Sequence, residues 1–173
     1  MPFTVELQLN RAAEARFLTL WDILKNEGIT DFGYRMNYRP HVTLAMYHEI
    51  DVARAVAKLE RFVAAEAPIK VEFPLFAAGN TSIIALPTEN AALRKLHGRF
   101  ERRFGRSFRL IDLAGTWRPH CTIGMEMPTS EIGRAVDKVL AKWQPISGTL
   151  DRLVLVKFRP GEVLWRKRLR SAP

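Results

Sequence analysis

Two short stretches of this chain share one pattern: Arg-Pro-His, an apolar residue, Thr, and a second apolar residue. The first runs from Arg39 to Leu44 and the second from Arg118 to Ile123. Each proline disfavours helix at the residue before it, and the apolar and β-branched residues that follow favour a strand. Side chains two positions apart on a strand share a face, so each copy presents an imidazole beside a hydroxyl.

The alternation predicts that His41 and Thr43 point the same way, and that His120 and Thr122 do so in the second copy. The residues between them are apolar and are predicted to face the core: Val42, Leu44, Cys121 and Ile123. If the two strands face each other, two imidazoles and two hydroxyls line one site.

Such a site suits the cleavage of a phosphodiester. One group must take a proton from the nucleophile and another must give a proton to the leaving oxygen, and a neutral and a protonated imidazole can do both near pH 7. The threonine hydroxyls can donate hydrogen bonds to non-bridging phosphate oxygens. Arg39 and Arg118 share the parity of the motif histidines and are candidate phosphate contacts, although an exposed arginine before a proline fits the same pattern.

The other candidate residues have simpler interpretations. Metal binding is the main rival chemistry for the motif histidines, but a zinc site needs three or four ligands and the sequence has no HExxH or CxxC pattern, so no metal is expected. His48 is interpreted as an exposed loop histidine, and His97, on the apolar stripe of a helix, as a core histidine. Tyr47 fits either stacking on a base or packing at a strand end.

The first half of the chain predicts elements on both sides of its motif strand. Alternating residues over 3–9 predict a half-buried strand. Asn10 is predicted to cap a helix through about Glu27, with Gly28 as a left-handed stop. Residues 29–38 are interpreted as a loop or strand entry. After the motif strand, Asp51 is predicted to cap a helix, and residues 69–75 to form a strand.

The second half repeats this order around its own motif strand. Its predicted elements are a strand over 82–86 after a turn at Gly79-Asn80, a helix from a Thr88 cap to Phe104, a short extended segment over 108–112, the motif strand, a helix capped by Thr129 or Ser130, and a hairpin of strands 150–158 and 163–169.

The order β-α-β-α-β occurs twice, with one further closing strand, and predicts an internally duplicated α+β domain over 1–173. We expect two lobes, approximately 1–80 and 81–173, with elements free to exchange between them. A pseudo-two-fold axis would relate the lobes, and antiparallel-rich sheets would surround a central groove. The two motif strands would meet at that axis.

The composition fits a globular protein with a polyanionic partner. Of 173 residues, 47% are hydrophobic, and 27 basic against 18 acidic residues give a net charge of +9. This balance favours RNA or nucleotides, although a basic soluble protein has it too. With no apolar run of about 18 residues and no leader-like start, neither a membrane partner nor secretion is expected. The single Cys121 cannot form an internal disulfide, which favours the cytoplasm.

At its two motifs the chain resembles the 2H phosphoesterase superfamily, which is named for paired His-x-Ser/Thr motifs. Within that superfamily it is most similar to the bacterial 2′-5′ RNA ligase and RNA 2′,3′-cyclic phosphodiesterase group. The resemblance covers nearly the whole chain and implies two lobes around a V-shaped groove. It implies His41 and His120 as the catalytic pair, and Thr43 and Thr122 as the phosphate-holding pair.

The resulting hypothesis is a metal-independent hydrolase without a cofactor, which opens 2′,3′-cyclic phosphates of RNA or nucleotides to 2′-phosphates. A 5′-hydroxyl in place of water would give 2′-5′ RNA ligation, and a monomer is expected. Two alternatives stay open: a non-catalytic RNA- or nucleotide-binding protein, and an enzyme for small cyclic nucleotides or 2′,5′-linked oligonucleotides. The sequence leaves open which histidine is the acid and which the base.

Overall fold

A computed structural model describes residues 2–108 and 115–170 of the chain. The elements of the first half are β1 (Phe3–Leu9), α1 (Arg11–Asn26), α2 (Phe32–Arg35), β2 (His41–Tyr47), α3 (Val52–Val63), β3 (Ile69–Phe73) and β4 (Leu75–Ala78). Those of the second half are β5 (Ile83–Leu86), α4 (Ala91–Phe104), β6 (Cys121–Gly124), a 3-10 turn (Thr129–Glu131), α5 (Ile132–Leu140), β7 (Ile146–Lys157) and β8 (Glu162–Arg168). The structure confirms the predicted α+β class and the closing hairpin.

The strands form two antiparallel sheets. The large sheet has the order β2-β1-β7-β3, with β8 also paired to β7, and the small sheet has the order β4-β5-β6. The long strand β7 pairs with β1 over 150–157, with β3 over 146–150 and with β8 over 152–157. The motif strands β2 and β6 therefore lie at the ends of the strand order in their own sheets, and they contact each other across the boundary.

Strands from each half of the chain complete the sheet of the other half. β7 and β8 pair within the large sheet, whereas β4 belongs to the small sheet. The prediction of one strand over 69–75 is therefore wrong, because Pro74 separates β3 from β4 and the chain changes sheets there. A proline has no backbone N–H to give to a ladder, so it marks a natural point for that change.

Helix α1 packs its apolar stripe into the core between the sheets. The predicted stripe residues Phe17, Leu20, Trp21 and Leu24 are all buried. The ring of Phe17 meets Phe73 of β3 edge to face, with centroids 5.3 Å apart. Because α1 also contacts β6 and α5, it joins the two sheets into one core.

The central strand β1 is buried on both faces. Val5, Leu7 and Leu9 face the core, as the alternation predicts, but the polar residues between them are also buried: Thr4, Glu6 and Gln8. The prediction of a half-buried strand is wrong for this polar face. β1 lies between β2 and β7. On its polar face, Thr4 and Glu6 line a cavity and Gln8 borders a separate depression.

The predicted helix ends are partly confirmed. Asp51 caps α3 by accepting a hydrogen bond from the backbone N–H of Arg54, at 3.0 Å. Gly28 follows α1 with a left-handed φ of 68°, which glycine adopts without steric cost. Asn10 precedes α1, but its Oδ1 accepts from the backbone N–H of Thr149 at 3.0 Å, so it ties the helix start to β7.

Two other assignments change. The segment 29–38 contains the short helix α2, and α4 begins at Ala91, after an Asn90 cap whose Oδ1 accepts from the backbone N–H of Leu93 at 3.0 Å. The prediction of Thr88 as the cap is therefore wrong. The extended segment predicted over 108–112 falls largely outside the described residues. Within the part of the chain that the structure covers, no helix is both long and apolar enough to span a membrane.

Replacement of the observed cap tests the start of α4. We expect Asn90→Ala to lower the free energy of unfolding by about 1 kcal/mol, because the first turn loses its side-chain acceptor. Thr88→Ala is the control, since Thr88 contributes its backbone N–H to the carbonyl of Glu72 and not a cap. It should change stability by less than about 0.5 kcal/mol in the same urea titration. The opposite ranking would contradict the assigned cap.

Candidate active site

The two motif histidines are held by the same local hydrogen bond. The Nδ1 of His41 lies 2.7 Å from the carbonyl oxygen of Arg39, and the Nδ1 of His120 lies 2.8 Å from that of Arg118. A carbonyl oxygen only accepts, so each Nδ1 carries a proton and donates it. Each ring is therefore held in a defined orientation through its Nδ1.

Both motif strands carry a β-bulge at the same place. The pairing of β2 with β1 skips Leu44, and the pairing of β6 with β5 skips Ile123. Each is the third residue after its motif histidine. Bulges bend a strand and redirect its side chains, so the duplicated motif is repeated in backbone geometry as well as in sequence. Both residues are buried, as predicted, together with Val42 and Cys121.

Two tryptophans fix the backbone at the motif threonines. The indole N–H of Trp21, on α1, donates to the carbonyl oxygen of Thr122 at 3.0 Å. The indole N–H of Trp117, in the loop before β6, donates to the carbonyl oxygen of Thr43, also at 3.0 Å. Each half of the chain thus supplies the indole that holds the motif of the other half.

His97 supports the first motif from the core. It is 2% exposed, its Nε2 lies 3.1 Å from the carbonyl oxygen of Leu44, and its ring stacks on Trp117 with centroids 4.1 Å apart. The prediction of a satisfied core histidine is confirmed. His97 pairs with the bulge residue while Trp117 pairs with the residue before it, so both carbonyls of the distorted strand have partners.

Cys121 lies on the buried face of β6. Its side chain is fully buried, and β6 contacts β2. Burial raises the pKa of the Cys121 thiol far above its ordinary value, and the backbone of His41 offsets only part of the effect. Cys121 is thus a protonated, packed residue close to the strand of the first motif histidine.

The four motif side chains line one cavity. His41, Thr43, His120 and Thr122 all border it, and it contains about 820 Å³ of empty space including the open mouth. The two motifs, which are far apart in the sequence, therefore meet at one cavity.

Aromatic side chains form a wall of this cavity. Tyr38 stacks on Phe158 with centroids 5.5 Å apart and meets the ring of His41 edge to face at 6.2 Å. Burial raises the pKa of the Tyr38 phenol, so it stays neutral at physiological pH. In α2, Gly33 packs so closely on Trp21 that a Cβ at this position would overlap the indole ring. The remaining aromatic lining residues are Phe32 and Tyr34.

The two candidate arginines occupy different places. Arg39 borders the cavity and forms an ion pair with Glu14 at 2.6 Å. The side chain of Arg118 is exposed and borders a separate depression beside Arg94. Its backbone carbonyl is the group that holds the Nδ1 of His120.

The remaining polar candidates lie outside the cavity. His48 is exposed, as predicted, and its ring stacks on Phe108 with centroids 4.0 Å apart. The hydroxyl of Tyr47 donates to the carbonyl of Gly105 at 3.2 Å, which favours packing over base stacking for this residue.

One cavity residue was missed by the sequence analysis. Glu6 of β1 is 3% exposed, and its Oε1 lies 3.6 Å from the Nε2 of His41. The hydroxyl of Thr4 donates to the same Oε1 at 2.7 Å. The alternation of residues in β1 predicts that Glu6 lies on the polar face of the strand. Its place opposite the first motif depends on the pairing of β1 with β2.

Among residues 2–108 and 115–170, no group of three or more His, Cys, Asp or Glu side chains is arranged to hold a metal ion. The cavity is instead lined by two imidazoles, four threonine hydroxyls, two tyrosine hydroxyls, two carboxylates and one guanidinium. These groups can transfer protons and hold an anionic oxygen.

Comparison with known proteins gives a match to a family model over most of the chain. The family model described as the 2′-5′ RNA ligase superfamily matches residues 25–162. None of the curated proteins that were compared matches the sequence significantly.

Solved structures of low sequence identity share the fold. TT0787 of Thermus thermophilus has 16% identity and a TM-score of 0.62, with 99% of both chains covered. Escherichia coli LigT complexed with NADP+ has 14% identity and a TM-score of 0.60, covering 98% of this chain and 99% of that one. Kluyveromyces marxianus Usb1 has 11% identity and a TM-score of 0.55, with 97% of both covered.

The buried thiol allows a test of the packing between the motif strands. We expect Cys121 to react with a thiol reagent about 10³-fold or more slowly in the native protein than in guanidinium, because only the small unfolded fraction exposes it. The chain has one cysteine, so labelling counts a single site. The control is Cys121→Ser combined with Ala53→Cys, which places a thiol at an exposed helix position and should react at once. Equally fast labelling of native Cys121 would contradict the assigned packing.

Proposed function

The chain belongs to the 2′-5′ RNA ligase superfamily of 2H phosphoesterases, and on that premise we propose that it is a metal-independent phosphodiesterase. Its proposed substrates are 2′,3′-cyclic phosphates of RNA or nucleotides, which it opens to 2′-phosphates. The observation that carries the proposal is the convergence of two imidazole–hydroxyl pairs, from distant parts of the chain, on one cavity.

The fixed orientation of the imidazoles supports proton transfer at both ends of the reaction. With each Nδ1 bound to a carbonyl, we propose that protons pass to and from the substrate through the two Nε2 atoms. One imidazole takes a proton from water as its oxygen bonds to phosphorus, and the other gives a proton to the 3′-oxygen as the P–O bond breaks. A 5′-hydroxyl in the place of water gives a 2′-5′ linkage, and the reverse reaction cleaves it.

The threonine hydroxyls are proposed to hold the non-bridging phosphate oxygens. Negative charge builds up on those oxygens as the nucleophile adds, and fixed donors stabilise it without reorganising. The backbone of each threonine is held by an indole N–H, so both hydroxyls start from a defined position.

The other lining residues favour a nucleotide over a bare phosphate ester. The aromatic wall offers faces on which a base can stack, and Arg39 offers a cation beside the phosphate position. A structure of E. coli LigT contains 3′-AMP, and one of K. marxianus Usb1 contains uridine monophosphate. The net charge of +9 suits an RNA chain beyond the cavity, where the exposed Arg118 would contact it. We place this activity in the cytoplasm, where a single free cysteine stays reduced.

Replacement of either motif histidine tests the proposal. We expect His41→Ala and His120→Ala each to lower kcat for a 2′,3′-cyclic nucleotide by about 10²–10⁴-fold, because each removes one proton-transfer group. The assay is run in EDTA, and activity of the native protein there is the expected result.

The matched control is His48→Ala, which removes an exposed imidazole outside the cavity and should keep native activity. Full activity in either motif variant would contradict the assignment. Salt-sensitive RNA binding without turnover by the native protein would favour the non-catalytic alternative. A panel of RNA ends, cyclic mononucleotides and 2′,5′-linked oligonucleotides then identifies the preferred class.

Replacement of each motif threonine by valine, which has nearly the same shape, tests the role of the hydroxyl. Thr43→Val and Thr122→Val remove only the hydroxyl, and we expect each to lower kcat by about 10²–10³-fold, as for loss of one donor to a transition-state oxygen. KM should change much less, because the lost interaction is strongest in the transition state. The control Thr81→Val alters an exposed threonine of the β4–β5 turn. A large rise in KM at unchanged kcat would instead assign these hydroxyls to ground-state binding.

A further inference from the structure

A second depression, which we call the side depression, adjoins the cavity on the polar face of the large sheet. Four residues border both the cavity and the side depression: Glu6, Tyr34, Tyr38 and Arg39. The residues that border the side depression and not the cavity come from β1, α1, the segment after α2, β7 and β8: Gln8, Leu18, Asn37, Val156, Val163 and Arg166. A ligand that fills the cavity therefore has a path into the side depression past the ring of Tyr38.

The register of the large sheet gives the direction of this path. Thr43 of β2 pairs with Glu6 of β1, and Glu6 pairs with Val154 of β7. Val154 in turn pairs with Arg166 of β8. Neighbouring strands lie about 4.8 Å apart, so three steps place the Cα atoms of Thr43 and Arg166 roughly 14 Å apart on one face. A nucleotide together with an extended arginine side chain spans such a distance.

Arg166 is the cation of the side depression that has no acidic partner within the described residues. Its side chain is exposed, whereas Arg39 is engaged by Glu14 at 2.6 Å. The carboxyl group of Glu6 is 3% exposed and accepts from the hydroxyl of Thr4, so little of it meets the side depression. A guanidinium presents a planar set of N–H donors that matches a phosphate group. Arg166 therefore suits a phosphate that lies between the cavity and β8.

The side depression also combines an apolar surface with unpaired polar atoms. Val163 is 45% exposed and pairs with Val156 in the ladder. Gln8 is 3% exposed, and its Oε1 and the hydroxyl of Tyr38 are buried without a hydrogen-bond partner among the described residues. An unpaired buried polar atom costs free energy, which a hydrogen-bonding group on a ligand removes. A nucleobase has both complementary features, an apolar face and an edge of donors and acceptors.

We infer that the side depression binds the nucleotide that precedes the cyclic phosphate end, so that the preferred substrate is an RNA 3′ end and not a mononucleotide. The inference rests on the proposed function and names the substrate class of the same site. The terminal nucleotide occupies the cavity, and its 5′-phosphate lies against Arg166. The preceding base covers Val163 beside Gln8. Binding energy from such a remote contact raises kcat/KM for the longer substrate.

Two substrates test the side depression: a dinucleotide that ends in a 2′,3′-cyclic phosphate, and the 2′,3′-cyclic mononucleotide with the same terminal base. We expect kcat/KM of the native protein to be about tenfold or more higher for the dinucleotide, because a hydrogen bond to a charged group and a covered base add binding energy. Arg166→Ala should lose about tenfold on the dinucleotide and keep native activity on the mononucleotide.

A dinucleotide with an uncharged methylphosphonate linkage isolates the phosphate contact. The native protein should lose about tenfold on it, and Arg166→Ala should lose nothing further, because both changes remove the same interaction. Gln8→Leu removes the amide at nearly the same size and should lose about threefold on the dinucleotide alone. The control Arg103→Ala makes the same change of net charge at an exposed position of α4 and should match the native protein on all three substrates.

The outcomes separate this inference from the proposed function. Equal kcat/KM of the native protein for the mononucleotide and the dinucleotide would overturn the inference and leave the proposed function intact. Equal losses of Arg166→Ala on these two substrates would overturn it as well, since they would show an effect on the cavity itself. A further loss of Arg166→Ala on the uncharged linkage would contradict the contact between Arg166 and the phosphate. Turnover of neither substrate by the native protein would overturn the proposed function, and the inference with it.

Discussion

The site depends on a carbonyl oxygen two residues before each motif histidine. A histidine side chain on a strand can rotate about two bonds, and a free ring would present either nitrogen to a ligand. The hydrogen bonds from Nδ1 to the carbonyls of Arg39 and Arg118 remove that freedom. They also fix the tautomer, because an acceptor at one nitrogen requires the proton to be there.

This hydrogen bond orients the imidazole only if the strand that carries the histidine keeps its conformation. Each motif strand lies at the end of the strand order in its sheet and carries a bulge, and these two features weaken a β ladder. The structure compensates with donors from outside the sheet. Trp21, Trp117 and His97 bond to carbonyls at the distorted positions, and each is buried. Buried donors of this kind hold the backbone without competition from water.

Local sequence determined the direction of each motif side chain. Alternation along a strand depends only on neighbouring residues, so the burial of Val42, Leu44, Cys121 and Ile123 beneath the imidazoles could be predicted without a structure. The repeat of the motif, supported by the resemblance to a known superfamily, was enough to predict two halves around a groove.

Tertiary structure alone decided which residues meet these motifs. The pairing of β1 with β2 brings Glu6 to His41, and the exchange of strands between halves places Trp21 and Trp117 behind opposite motifs. Alternation in β1 identified Glu6 as polar but could not tell a solvated face from a buried one. Register and burial depend on contacts between residues far apart in the chain. Such contacts produce no periodic pattern in the sequences of the two segments, so they could not be predicted from either segment.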